Sequence, residues 1–450
     1  MSSKGHNFPI MKKILLFSLA VFALINCKKD KESELECSTT TTTVATKPNI
    51  LLIIADDMGL DATPGYNIGT VKPNMPNLQQ IINTGVRYNN FWSYPTCTPT
   101  RASILTGKYG FRTNVVKVGD PLSTTETSLQ SHISSQTGNA YATAVIGKWH
   151  LSRTPSHPTD MGVGYYAGLL TGAAGSYTNW NLTENGVTTT NTDYITTKIT
   201  DLAIDWKDAQ TKPWFLWLAY TAPHTPFHLP PDSLHSQGIL PSDAASIAAN
   251  PQPYFMAMIE AMDSEMGRFI NSMSQSEKDN TIIIFIGDNG TTGQVVQQYA
   301  SQRSKGSVYQ GGINTPLIVS GAGVNRMNET DDAFVGTVDL FATIADLAGT
   351  GTSEINDSKS IKRTFSEAGY LPKNYIYSEV GNTTNTNTDY TIRNATHKYI
   401  MFDDGSEALY DLLSNPFENP NLMAPQRLPL SIADSTIKAE LEADIVNIRM

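Results

Sequence analysis

Continuous apolar runs alternate along this chain with amphipathic segments of helical period. This pattern predicts strands that are buried on both faces and helices that pack against them. The predicted strands of the main sheet are residues 49–55, 142–146, 214–218 and 281–286. The predicted helices are residues 75–84, 193–206, 254–273 and 338–348. Such an alternation is typical of an α/β fold with a large parallel or mixed sheet sandwiched by helices.

The last part of the chain has a different pattern. From about residue 370 the apolar runs become shorter, with strands predicted at 375–378 and 398–402 and a last helix at 436–448. We therefore predict a main domain over residues 48–369 and a smaller α+β subdomain over residues 370–450.

Oxygen-bearing side chains follow two of the predicted strands. Asp56 and Asp57 end the first apolar run, and Asp288 and Asn289 follow the run at 281–286. Two adjacent carboxylates repel each other unless a cation lies between them, and ligands gather at the carboxyl ends of such strands. The donor set suits Ca²⁺ or Mg²⁺ and does not suit zinc. Taken alone, each group is also compatible with a polar strand exit, a helix cap or a turn.

The N-terminal region is typical of an exported protein. Lys12 and Lys13 precede an apolar run at 14–25, which is too short to span a bilayer but suits the core of a signal peptide. The run ends in Leu-Ile-Asn-Cys27, which resembles a bacterial lipobox. We therefore predict a lipoprotein signal peptide with lipobox over residues 1–27 and a lipid anchor at Cys27. An ordinary cleaved signal peptide is the alternative.

Residues 28–47 combine alternating charges with a threonine run and have no hydrophobic period, which predicts a flexible tether. Cys37 lies in this tether and is interpreted as a bystander. A lipid-anchored, exported chain is expected at the outer membrane or cell surface, with the periplasm as the alternative.

Composition removes two classes of function. The 450 residues include 42 acidic and 32 basic side chains, which give a formal net charge of -10. Phosphate backbones require clustered lysine and arginine, so this balance argues against a nucleic-acid partner. Three cysteines without zinc spacing are too few for a disulfide framework or a zinc site. Cysteine chemistry must therefore be judged one residue at a time.

The third cysteine opens a recognisable motif. Residues 97–107 read Cys-Thr-Pro-Thr-Arg-Ala-Ser-Ile-Leu-Thr-Gly. This stretch resembles the Cys-x-Pro-x-Arg signature, with its following Thr-Gly, of the formylglycine-dependent sulfatases of the alkaline-phosphatase superfamily. The alternative is a buried structural cysteine in a strand-to-helix turn.

Further motifs of that family follow in the family's order. They are Gly-Lys-Trp-His-Leu at 147–151, Ala-Pro-His-Thr-Pro at 222–226, Lys-Gly-Ser-Val-Tyr-Gln-Gly-Gly at 305–312 and Ala-Leu-Tyr-Asp-Leu at 408–412. The resemblance extends from about residue 48 to about residue 422. It departs from the family pattern at Ser152, where glycine is frequent, and at Gln310, where glutamate is usual.

The resemblance implies a role for each matching residue. Cys97 would be converted to formylglycine by a maturation enzyme, and its hydrate would attack sulfur. Arg101, Lys148 and Lys305 would surround the sulfate. His224 would protonate the leaving oxygen, and His150 would take the proton from the second hydroxyl. The implied ligands of the Ca²⁺ are Asp56, Asp57, Asp288, Asn289 and the modified residue 97.

Three other features have no matching role. His157 and His228 correspond to no catalytic position, and a surface role is expected for both. Residues 162–186 contain four aromatic side chains without periodicity, which predicts a loop near the active site. Those aromatic rings would either stack on a sugar or aryl group or pack on the domain.

The resemblance thus implies a sulfatase that hydrolyses a sulfate ester, and we expect the substrate to be a sulfated carbohydrate. A phosphonate monoester hydrolase or phosphatase of the same superfamily is the nearest alternative. A non-catalytic surface lipoprotein that binds glycans is a third possibility, which the intact set of site residues disfavours.

Overall fold

A computed structural model describes residues 47–381 and 387–450. The predicted signal peptide, the lipobox with Cys27 and all of the tether except Lys47 lie outside the described residues. No helix in the described part of the chain has both the length and the apolar content to cross a membrane.

The observed strands include the six that were predicted from apolar runs and others that were not. In chain order they are β1 (Asn49–Ala55), β2 (Gly85–Tyr88), β3 (Phe91–Trp92), β4 (Ala142–Gly147), β5 (Tyr165–Gly168), β6 (Trp180–Glu184), β7 (Val187–Asn191), β8 (Trp214–Ala219), β9 (Thr281–Gly287), β10 (Leu317–Gly321), β11 (Glu329–Asp331), β12 (Val335–Gly336), β13 (Glu354–Ile355), β14 (Ser358–Lys359), β15 (Ile376–Gly381), β16 (Thr388–Arg393), β17 (His397–Met401) and β18 (Glu407–Asp411).

The helices differ widely in length. In chain order they are α1 (Pro76–Asn83), α2 (Cys97–Thr106), α3 (Gly110–Thr113), α4 (Leu129–Gln136), α5 (His157–Asp160), α6 (Ile195–Asp208), α7 (Ala244–Ala249), α8 (Gln252–Ser272), α9 (Gln275–Asp279), α10 (Gln310–Ile313), α11 (Asp339–Leu347) and α12 (Ile432–Arg449). The four strands and four helices predicted for the main domain each match an observed element to within two residues at both ends.

A large mixed sheet organises the main part of the chain. Its strand order, over the described residues, is β11-β2-β10-β9-β1-β8-β4-β5-β6-β7. The central strands β9, β1, β8, β4 and β5 are parallel, whereas β10 and β6 pair antiparallel at the two sides of this group. The carboxyl ends of the parallel strands therefore meet at one edge of the sheet, as the predicted fold class requires.

Alternate residues of β1 enter different cores, because successive side chains of a strand point to opposite faces. Ile50, Leu52 and Ile54 pack with residues of α2, α4 and α11 on one face. Leu51 and Ile53 pack with residues of α1, α6 and α8 on the other. The whole of β1 is buried, which explains its continuous apolar sequence.

The C-terminal part forms a four-stranded antiparallel sheet in the order β15-β16-β17-β18. Helix α12 packs on it through Leu441, Ile445 and Ile448. This helix begins four residues earlier than predicted, because the Ser431 side chain accepts a hydrogen bond from the Asp434 backbone N–H and caps its first turn.

Two predictions about the middle of the chain were wrong. Residues 162–186 are not simply a loop, since they include β5 and most of β6. Their rings pack on the domain, with Tyr166, Tyr177 and Trp180 all less than 5% exposed. His157 is buried rather than on the surface: its Nδ1 accepts from the Trp149 indole N–H at 3.1 Å, and its Nε2 donates to the Leu122 carbonyl at 2.8 Å. These two hydrogen bonds satisfy the ring and make its burial tolerable.

A buried ion pair joins the C-terminal sheet to the segment at 303–310. Lys398 Nζ lies 2.6 Å from Glu418 Oε1, and both side chains are fully buried. Lys398 also donates to the Val308 carbonyl, and Glu418 accepts from the Gln310 backbone N–H. Burial lowers the pKa of Lys398 to about 8, although Glu418 opposes that shift.

We expect Lys398→Met to lower the free energy of unfolding by about 3–5 kcal/mol, because Glu418 would remain buried without its partner. Lys398→Met combined with Glu418→Gln should recover part of that loss. The control is Lys359→Met, which removes an exposed pair with Glu354 and should cost less than about 1 kcal/mol. Urea denaturation measures all three variants. A loss for Lys398→Met no larger than that of the control would contradict this account.

Candidate active site

The predicted site residues come together at the carboxyl edge of the central strands. Asp56 and Asp57 follow β1, Asp288 and Asn289 follow β9, and Lys148 follows β4. These strands and β8 are adjacent and parallel, so side chains far apart in the sequence converge at one place. Helix α2 begins at Cys97, which brings the thiol to the same edge.

The acidic residues form one buried cluster. The Asp57 backbone N–H donates to Asp288 Oδ1 at 3.1 Å, and Asn289 Nδ2 donates to Asp57 Oδ1 at 2.8 Å. Asp56, Asp288 and Cys97 each offer an atom within 4.8 Å of the others, as do Asp56, Asp57 and His224. Carboxylates gathered this closely in the protein interior require compensating positive charge.

Two oxygens of this cluster fit a divalent cation. Asp56 Oδ1 and Asn289 Oδ1 are buried and have no hydrogen-bond partner among the described residues. A buried oxygen without a donor costs free energy, and a bound cation would remove that cost. Because the cluster offers carboxylate and amide oxygens, the residues fit Ca²⁺ or Mg²⁺.

Three cations surround the cluster, each paired with a carboxylate. Lys148 Nζ lies 2.5 Å from Asp56 Oδ2, Arg101 Nη2 lies 2.7 Å from Asp288 Oδ2, and Lys305 Nζ lies 2.5 Å from Asp57 Oδ1. Lys148 and Arg101 are fully buried. The three cations balance the three carboxylates, so a divalent cation held by the cluster would make the site positive and suited to an anionic ligand.

The pKa values of Asp57 and Asp288 shift in opposite directions in this environment. Burial alone would raise the pKa of Asp57, but the charges of Lys305, His224 and Lys148 outweigh it and lower that pKa. Burial raises the pKa of Asp288 to about 6, and the charge of Asp56 acts in the same direction. A bound cation would favour the ionised form of both groups.

Cys97 faces His150 across 3.1 Å, measured from Sγ to Nδ1. Burial raises the pKa of the Cys97 thiol, so the unmodified side chain is not an activated thiolate. Burial and the charges of Lys148 and Arg101 lower the pKa of His150 to about 2, which keeps its ring neutral. This pair is therefore poorly suited to direct thiol chemistry, and an uncharged His150 ring faces residue 97.

The local fold explains the residues of the motif at 97–107. Thr100 Oγ1 accepts from the Tyr94 backbone N–H and donates to the Asp288 carbonyl at 2.7 Å, which ties α2 to the end of β9. Arg101 Nη1 donates to the Lys148 carbonyl at 2.8 Å. Gly107 ends α2 with a φ of +65°, a conformation that favours glycine. The motif thus encodes the geometry of the helix as well as its chemistry.

His224 is held on the turn after β8. The Tyr177 hydroxyl lies 2.9 Å from the Thr221 carbonyl oxygen and 2.7 Å from that of His224. His224 Nδ1 donates to the Thr225 carbonyl at 2.7 Å, which assigns the proton to Nδ1 and leaves Nε2 toward the cluster. Nε2 lies 3.8 Å from Asp57 Oδ2. By contrast, His228 lies outside the cluster and contacts the Tyr194 hydroxyl at 3.1 Å.

Sequence reasoning missed three residues that shape this site. Thr98 Oγ1 lies 3.3 Å from His150 Nε2, and its position inside the motif was an available signal. Tyr177 holds the turn of His224. Gly172 packs against the His150 ring so closely that an added Cβ would lie 2.3 Å from it, and no sequence pattern indicated this contact.

Comparisons with known proteins agree with this geometry. A family model described as Sulfatase matches residues 48–350. The chain is 28% identical over 369 residues to arylsulfatase G of Mus musculus, a match that covers 68% of this chain and 66% of the mouse protein. The chain thus spans just under two thirds of the length of that relative.

Solved structures show the same fold. A protein solved in complex with its substrate, D-glucosamine-2-N,6-O-disulfate, superposes with a TM-score of 0.75 at 20% identity over 90% of this chain and 98% of that chain. A second, solved in complex with k-i-k-neocarrahexaose, gives a TM-score of 0.73 at 22% identity over 88% of this chain and 92% of that one.

Proposed function

The chain belongs to the sulfatase family, and we propose that it hydrolyses a sulfate ester of a carbohydrate by means of residue 97 in its formylglycine form. The observation that carries this proposal is the buried cluster around Cys97, with three paired cations and two oxygens that lack a donor. An anionic ester needs such positive charge where its leaving oxygen becomes negative.

Asp56, Asp57, Asp288 and Asn289 would hold a divalent cation, for which Ca²⁺ is our choice and Mg²⁺ the alternative. When bound, the cation supplies positive charge beside the sulfate and residue 97. Arg101, Lys148 and Lys305 would complete the cradle. Their positions are fixed by ion pairs that preorganise the charge before a substrate enters.

Formation of formylglycine would exchange the thiol sulfur of Cys97 for oxygen and remove two hydrogens from the side chain, with the oxidant supplied through a maturation enzyme. The hydrated aldehyde supplies one hydroxyl as the nucleophile and a second hydroxyl through which sulfate is expelled. The raised pKa of the thiol supports the modification, because a protonated cysteine would be a weak nucleophile here.

Two histidines would move the protons. His150 is neutral and lies beside residue 97, so it can accept a proton from the hydroxyl of that residue. His224 presents Nε2 to the cluster, where it can donate a proton to the leaving oxygen. This Nε2 lies 3.8 Å from Asp57 Oδ2.

We infer a sulfated glycan as the substrate. Two proteins of the same fold were solved with a glucosamine disulfate and with a neocarrahexaose, which supports this class of ligand. The test is sulfate release from a panel of sulfated mono- and oligosaccharides, with a phosphonate ester as the control. We expect sulfate release and little phosphonate hydrolysis. Faster hydrolysis of the phosphonate ester would instead favour the alternative activity.

We also propose that the protein is exported, lipid-anchored at Cys27 and located at the outer membrane or cell surface, with the periplasm as the alternative. The apolar run at 14–25 and the lipobox resemblance support this proposal. Labelling with a radioactive fatty acid should mark the full-length protein and fail to mark Cys27→Ala. Equal labelling of both would contradict a lipid anchor at that residue.

The contact between Gly172 and His150 gives a test of the proposed base. Gly172→Ala should lower kcat about 10- to 100-fold, because the new Cβ would displace the ring from residue 97. The matched control is Gly175→Ala in the same segment, where an added Cβ meets no atom within 4 Å. Steady-state kinetics with an aryl sulfate measures both variants. Equal rates for the two would exclude a requirement for the position of His150.

A further inference from the structure

A cleft leads away from His150 along one side of the proposed site. It begins as a cavity of about 250 Å³ lined by His150, Arg153, Gly172 and Asp120. A neighbouring cavity of about 360 Å³ shares Arg153, Leu170 and Thr171 with the first. The two cavities therefore lie side by side, Arg153 lines both of them, and together they are called the cleft.

The outer cavity is lined mainly by neutral hydrogen-bonding groups. In the hairpin β6–β7, Asn181 pairs with Thr190 and Thr183 pairs with Thr188. Residues two apart in a strand share a face, so these four side chains form one polar surface, and all four line the cavity. Thr183 is buried and its hydroxyl bonds to that of Thr188, whereas Asn181, Thr188 and Thr190 are exposed. The exposed amide and hydroxyl groups suit the hydroxyl groups of a sugar.

Among the described residues that line this outer cavity, Arg153 is the only one with a charged side chain. It is exposed, and no described carboxylate lies within ion-pair distance of its guanidinium. The nearest acidic residue in the inner cavity, Asp120, accepts backbone N–H groups of Val116 and Lys117 through Oδ2. The Arg153 guanidinium is therefore free to pair with a ligand.

The backbone at His150, shortly before Arg153, is anchored beside β5. His150 and Arg153 both lie on the short segment after β4. The Trp149 backbone N–H donates to the Leu169 carbonyl at 2.9 Å, and the His150 backbone N–H donates to the Leu170 carbonyl at 3.2 Å. These bonds hold the segment against the residues that follow β5. The buried His157 further anchors the Trp149 ring. This anchoring places Arg153 on the wall of the same cavity that His150 lines.

On the premise of the proposed function, we propose that this cleft holds the sugar next to the sulfated one and that Arg153 binds an anionic substituent on that neighbouring sugar. A guanidinium forms paired hydrogen bonds with sulfate or carboxylate groups, so either substituent has the chemistry required. The neutral hairpin face would contact the sugar ring without adding charge. Arg153 is then a specificity-determining residue, and the preferred substrate carries at least two negative groups on adjacent sugars.

The test is binding of matched disaccharides to the full-length Cys97→Ala variant, measured by calorimetry. The probes are carrageenan- and chondroitin-type disaccharides with one sulfate, with a second sulfate on the neighbouring sugar, or with a carboxylate there. We expect the second anionic group to tighten binding about 10-fold. Arg153→Gln should remove this preference, and Arg153→Lys should keep part of it. Arg427→Gln is the matched control, because Arg427 is exposed and lines neither cavity.

The sulfate and carboxylate probes show which substituent is recognised. Two results would overturn the proposal. In the first, Arg153→Gln still binds the disaccharides with a second anionic group more tightly. In the second, the protein with Arg153 in place binds them no more tightly than the disaccharides with one sulfate. Failure of the proposed function has a different signature, because the unsubstituted protein would release no sulfate from any probe while its binding preference could persist.

Discussion

Replacement of Cys97 by alanine is expected to lower sulfate release by about 10⁴-fold or more, because no other described side chain in the cluster can supply the nucleophile. The thiol is buried against His150, and its loss removes a single sulfur atom from a packed site. The free energy of unfolding should therefore change by only about 1 kcal/mol. Initial rates on a sulfate ester and urea denaturation measure the two effects separately.

Cys37→Ala is the matched control for this substitution. Cys37 lies in the predicted tether, away from the motif, so its loss should leave the rate unchanged. Turnover retained in Cys97→Ala would exclude residue 97 as the nucleophile. A large loss of stability would show instead that the cysteine is a structural residue of the strand-to-helix turn.

Removal of divalent cations is expected to lower the rate of sulfate release by about 100-fold or more, and added Ca²⁺ should restore it. The reason is the cluster of Asp56, Asp57, Asp288 and Asn289, where two oxygens lack a hydrogen-bond donor. The same cation should raise the melting temperature, because it binds only the folded chain. Mg²⁺ in place of Ca²⁺ tests which ion the site prefers.

Asn289→Ala tests the site without changing its charge. We expect the dissociation constant for Ca²⁺, measured by calorimetry, to rise about 10- to 100-fold. The control is Asn314→Ala, since Asn314 also has a buried Oδ1 without a described partner but lies outside the cluster. Equal affinities in both variants would contradict the assignment of Asn289 as a ligand.

Sequence reasoning predicted β1, β4, β8 and β9 of the main sheet because these central strands are buried on both faces. In β1 every position after Asn49 is apolar, so the apolar run ends with the strand. The polar residues that follow these runs lie at the edge where ligands bind, and the acidic cluster could be placed there for that reason. The boundary of α12 was missed because a serine cap, rather than an apolar residue, begins the helix.

Contacts between distant segments could not be predicted. The role of Gly172 depends on the packing of the segment after β5 against His150, which no local pattern encodes. His157 was placed on the surface because a histidine among polar neighbours is usually exposed, whereas its two hydrogen bonds to Trp149 and Leu122 allow it to be buried. The aromatic residues at 162–186 could not indicate by themselves whether they pack in the core or stack on a sugar, because both roles use the same side chains.

The most direct test of the central claim is mass spectrometry of the peptide that contains residue 97, from protein made in a host that has the maturation enzyme. The account predicts a side chain in which oxygen replaces sulfur and two hydrogens are missing, together with reactivity toward a hydrazine probe for aldehydes. A peptide that carries only unmodified cysteine, in a protein that still releases sulfate, would contradict it.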